Sequence, residues 1–99
     1  MSVDSLKDKR HLYYELLSDI RNTVTYLKRA SSSVSTATSL KNYYTIDDIP
    51  TSKAQKIESI QNDTDKIINH LSDDVIPWIE RKIKSLGNEI EDAMKEESE

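Results

Sequence analysis

Residues 5–34 read SLKDKRHLYYELLSDIRNTVTYLKRASSSV. Within this stretch Leu6, Tyr13, Ile20, Leu27 and Val34 recur every seven residues. Leu17, Val24 and Ser31 fall four after members of that row, and Thr38 continues it. An α-helix turns about 100° per residue, so alternating steps of three and four hold a stripe of side chains on one face, whereas a half-buried strand needs a period of two. The spacing therefore predicts one amphipathic helix from about Asp4 or Ser5 to about Leu40. At 1.5 Å per residue it would be roughly 50 Å long. Leu12, Leu16, Ala30 and Ala37 widen the stripe on its flanks.

Two readings compete over residues 31–39, Ser-Ser-Ser-Val-Ser-Thr-Ala-Thr-Ser. Ser and Thr bond to nearby backbone and are weak helix formers, which suits a flexible linker. Helix is favoured because Val34 and the flanking alanines stay in phase with the heptad and no Gly or Pro intervenes.

Farther along the chain, residues 41–52 are expected to turn. Pro50 biases Ile49 away from the α region, Asp47 and Asp48 can bond local backbone, and Thr51 or Ser52 can cap the next helix. That second helix is expected from about residue 53 to Met94. Its apolar positions are Ile57, Ile60, Ile67, Ile68, Leu71, Val75, Ile76, Ile79, Ile83, Leu86, Ile90, Ala93 and Met94. Beyond Met94 the acidic tail 95–99 is expected to fray, since it sets negative charge at the unfavourable end of the helix dipole. Pro77 interrupts this helix, removing one backbone bond and clashing with the carbonyl four residues back. A kink and a restart are both open, and continuity of the apolar phase favours a kinked single helix. The fold class is thus all-α: one domain of two long antiparallel helices, a coiled-coil-like hairpin.

Composition agrees. One Gly, two Pro and no Phe in 99 residues leave few of the turn signals that a sheet protein of this size needs. No cysteine is present, which excludes disulfides and thiolate metal sites. The charged N-terminus runs into no apolar stretch of signal-peptide length, and Val75-Ile76-Pro77-Trp78-Ile79 falls far short of a bilayer span. Net charge is −4, divided as +3 over residues 1–41 and −7 over residues 42–99. That asymmetry favours pairing of the two helices and argues against nucleic acid as a partner, as does a pI of about 5.2.

Little in the chain suggests catalysis. There is no Gly-rich phosphate loop, nucleophile elbow or paired-His zinc motif. His11 lies four before Glu15 and His70 four before Asp74, yet a metal needs three or four ligands together. Asp47-Asp48 and Asp73-Asp74 lack the spaced loop of a calcium site and read as turn and cap residues. No enzyme activity, cofactor or metal is expected.

The candidate surface is a protein interface. On the first helix it comprises Tyr13, Leu17, Ile20, Val24, Leu27 and Val34, in the turn Tyr43, Tyr44 and Asp47, and on the second helix Ile76, Trp78, Ile79 and Ile83. Trp78, the only tryptophan, serves either as cover for the hairpin seam or as a partner anchor, a role for which its large area suits it. Two helices alone make a thin core, so a further helical chain, identical or different, would supply the missing burial.

The order of helix, aromatic turn and helix extends over the whole chain. It carries Tyr43-Tyr44-Thr45-Ile46-Asp47, then Val75-Ile76-Pro77 and Ile83-Lys84-Ser85-Leu86-Gly87-Asn88-Glu89-Ile90. In this it resembles the small helical-hairpin proteins of Gram-positive type VII secretion systems, the WXG-like family and the short partners of LXG-domain toxins. The turn carries no Trp-x-Gly. The family's Tyr-x-x-x-Asp export signal is matched by Tyr43 with Asp47 and by Tyr44 with Asp48. The resemblance implies an adaptor that binds the helical N-terminal region of a secreted effector, located in the cytoplasm or exported with its partner without a cleaved signal peptide. The alternative expectation is a homo-oligomeric coiled-coil module of a phage or cytoskeletal assembly.

Overall fold

The structure is a computed structural model that describes the backbone of residues 2–43 and 51–98, and the side chains of residues 2–35 and 55–98. Two helical arms lie antiparallel. The first is α1 (Val3–Tyr43); the second is α2 (Thr51–His70), a π turn (Leu71–Val75) and α3 (Ile76–Ser98). Among the described residues there is no strand. Forty-eight residues at 1.5 Å each give an arm of roughly 72 Å, close to the long dimension of the 77 × 15 × 15 Å molecule.

α1 starts earlier than expected because Ser2 caps it. The Ser5 amide donates to the Ser2 hydroxyl oxygen at 3.2 Å, and the Leu6 amide reaches the Ser2 carbonyl at 3.1 Å. The Ser/Thr-rich stretch is helical, so its heptad phase outweighs its weak propensity. Ser31 also gains a partner on the other arm, donating to Asp65 Oδ1 at 2.7 Å. At the far end the helix continues through Ser98 instead of fraying at Met94, and the Ser98 hydroxyl donates to the Lys95 carbonyl at 2.9 Å.

Pro77 bends the second arm's hydrogen-bond ladder without breaking it. Proline has no N–H for the carbonyl four residues back, and the preceding turn widens so that the Ile76 amide donates to the Leu71 carbonyl five residues back. The apolar spacing explains why this is tolerated. Leu71, Val75 and Ile79 are separated by two successive steps of four, and each such step overshoots the stripe by about 40° in an α-helix. The wider π turn rotates less per residue, offsets that drift, and returns Ile79 to the seam, where it is fully buried.

Pairings across the arms fix the antiparallel arrangement. Val3 and Leu6 cluster with Leu86 and Ile90, with Tyr13 and Ala93 packed alongside. Further along, Tyr13 meets Trp78, Arg21 meets Glu80 and Ser31 meets Asp65. The buried core comprises Val3, Leu6, Leu17 and Val24 from α1 and Ile68, Ile79, Leu86 and Ile90 from the second arm.

Candidate interaction surface

The residues facing the other arm divide the hairpin into two flanks. A residue one before a seam position is rotated back by about 100°, and a residue three after it by about 60° in the same sense. Because the arms run in opposite directions, backward-rotated positions on both arms fall on the same side. Leu16 precedes buried Leu17, Ile67 precedes buried Ile68, and Trp78 precedes buried Ile79. All three therefore share one flank, at 40%, 50% and 49% exposure. Ile60, seven before Ile67, joins them and is also exposed. Half-buried Ile20 and Leu27, three after Leu17 and Val24, border the same side.

Tyr13 ties this flank together. It lines a shallow groove with Lys9, Leu12 and Leu16, and its ring meets that of Trp78 edge-on with centroids 6.1 Å apart. Leu12, Leu16, Tyr13 and Trp78 thus form a continuous apolar surface spanning both arms. Trp78 sets one edge against Tyr13 of the hairpin and leaves about half its area open.

The opposite flank has a different character. Arg21, three before Val24, and Glu80, one after Ile79, rotate to that side, where their charged ends stand 3.9 Å apart. Asp65, three before Ile68, receives the Ser31 hydroxyl there. Ile76 and Ile83 also rotate to this side and are half-buried; Ile83 lines a groove with Lys7, Arg10, Tyr14 and Met94, the last two about half exposed.

The sequence-derived interface residues therefore separate into groups. Leu17, Val24 and Ile79 are buried in the intramolecular seam and present no surface. Tyr13, Ile20 and Leu27 border the apolar flank, and Val34 is half-buried at the end of the same heptad row. Ile76 and Ile83 lie on the flank of the Arg21–Glu80 pair. Tyr43 closes α1 as its last backbone position, while Tyr44 and Asp47 lie outside the described residues. Leu12, Leu16, Ile60 and Ile67 are missing from the interface expected from sequence, although their positions just before or flanking seam residues carried the signal.

The two imidazole–carboxylate pairs form as spaced. His11 Nε2 lies 3.0 Å from Glu15 Oε1 and His70 Nδ1 lies 2.8 Å from Asp74 Oδ2, all on exposed outer faces. Among the described residues no three His, Asp or Glu converge as metal ligands. No helix there is long and apolar enough to cross a membrane.

No model of a known protein family, no curated protein and no solved structure matches the chain.

Proposed function

We propose that this chain is a non-enzymatic helical adaptor whose Leu12–Leu16–Trp78 flank packs against the helical N-terminal region of a type VII secreted effector. One observation carries the packing role. The exposed aliphatic residues Leu16, Ile60 and Ile67 and the only tryptophan gather on the flank opposite the Arg21–Glu80 ion pair. A third helix laid along that flank would bury them by ordinary helix-in-groove packing. Trp78 alone retains roughly 100 Å² of open surface, worth about 2.5 kcal/mol at 25 cal/mol per Å². The effector as partner class rests on the resemblance of the helix–turn–helix chain and its turn motifs to the type VII hairpin proteins.

The test is co-expression with the helical N-terminal region of an LXG-type effector, followed by size-exclusion chromatography. Co-elution is expected, with loss on Leu16→Ser or Trp78→Ala and retention on Arg21→Ala. A pair that never co-elutes would sink the effector reading. Binding lost through Arg21 but not through Trp78 would put the contact on the wrong flank. If the chain alone forms a discrete oligomer through Trp78, the self-associating coiled-coil module takes the adaptor's place.

A further inference from the structure

The apolar flank does not end uniformly. At the open end of the hairpin a shallow surface groove is formed by Leu6 and Ala93 with the carboxylates of Glu89, Asp92 and Glu96. Glu89 and Asp92 are three apart and Asp92 and Glu96 four apart, spacings at which like charges on a helix repel one another. None of the three takes part in an ion pair among the described residues. Across residues 85–99 one Lys stands against six carboxylates. Glu89, one before buried Ile90, and Ala93, three after it, rotate to the apolar flank, so these acids set a net-negative patch at its end.

We infer that the occupant of this flank is an amphipathic helix with an apolar stripe for Leu12, Leu16 and Trp78 and a cluster of Lys or Arg at the end lying against Glu89, Asp92 and Glu96. The inference rests on the docking role proposed above and specifies the partner's chemistry. Charge complementarity supports it. A cationic end would meet three carboxylates at once, and the apolar stripe would cover the side chains farther along the flank. The apolar contact supplies affinity, and the charge fixes which end of the helix lies at the open end of the hairpin. A partner with an acidic end would meet like charge and be rejected.

Trp78 provides the readout, since its emission reports burial of the half-exposed ring. Two synthetic helices with the same leucine stripe, one ending in four Lys and the other in four Glu, are titrated into the full-length protein at low salt. The Lys-ended helix is expected to blue-shift Trp78 and bind at least tenfold tighter than the Glu-ended one. That preference should collapse to under twofold in 1 M NaCl, and likewise in the triple variant Glu89→Gln, Asp92→Asn, Glu96→Gln. The three sites are exposed, so the variant should keep its helical circular dichroism. Equal binding of both peptides, or a preference that survives the triple substitution, overturns the inference while leaving the docking role intact. If neither peptide binds, the docking role itself fails. A Trp78 shift with rising protein concentration and no peptide would identify the occupant as a second copy and overturn the inference.

Discussion

Ile79 and the Leu12/Leu16 pair should respond unequally to truncation. Ile79 is fully buried between the arms, so Ile79→Ala removes its packing and leaves a void that two helices cannot easily close. Large-to-small changes at such sites cost about 2–5 kcal/mol. For a domain of this size each kcal/mol lowers the melting temperature by about 4–8 °C. A loss of about 3 kcal/mol would therefore lower it by at least about 12 °C. Leu12 is 64% exposed and Leu16 40%, so the double change to Ser loses in total about the contact of one buried leucine and leaves no internal void. Its cost should stay within about 2 kcal/mol, below that of Ile79→Ala. The assay is thermal unfolding followed by circular dichroism at 222 nm, repeated at two protein concentrations. If the double variant melts well below the wild type while Ile79→Ala does not, the assignment of seam and flank is wrong. A strong concentration dependence in the wild type would mean that the exposed flank is already occupied by another copy.

Three further experiments test other parts of the hairpin. Gly87→Ala should raise stability by about 1 kcal/mol in the same melting assay, because a helix-interior Gly is costly and an added Cβ would meet nothing within 4 Å. Pro77→Ala should raise the unfolding midpoint in guanidinium by the equivalent of about 1–3 kcal/mol through return of a backbone donor. Trp78 emission should stay unchanged, since the Leu71–Val75–Ile79 spacing still calls for the wider turn; a shifted emission maximum would show that proline alone holds that geometry. Exchanging the charges of Arg21 and Glu80 should reveal a coupling of no more than about 1 kcal/mol in a double-mutant cycle, since both ends are more than half exposed. A larger value would mean that this flank is less solvated than its exposure implies.

The heptad from Leu6 to Val34 was enough to predict α1, even through the Ser/Thr-rich stretch, because phase is a property of the chain that each residue either keeps or breaks. The site was less legible. Leu17, Val24 and Ile79 were grouped with Tyr13 and Trp78 as interface candidates, since a periodic stripe reads the same whether it faces the chain's own second helix or a partner. Pro77 was visible as a problem, but its solution was not, because relief by a π turn depends on how the whole second arm is held against α1.

Local rules of rotation and propensity thus determined, from the sequence alone, that this protein would form two amphipathic helices joined by a turn. Tertiary structure alone decided which apolar residues the arms consume, on which flank the remainder emerge, and that three carboxylates of α3 gather beside Leu6 and Ala93 at the hairpin's open end. The reason is geometric: a stripe wider than the contact between two helices must leave some side chains uncovered. Which ones depends on the rotation of each arm about its axis, and that is fixed only when the arms meet.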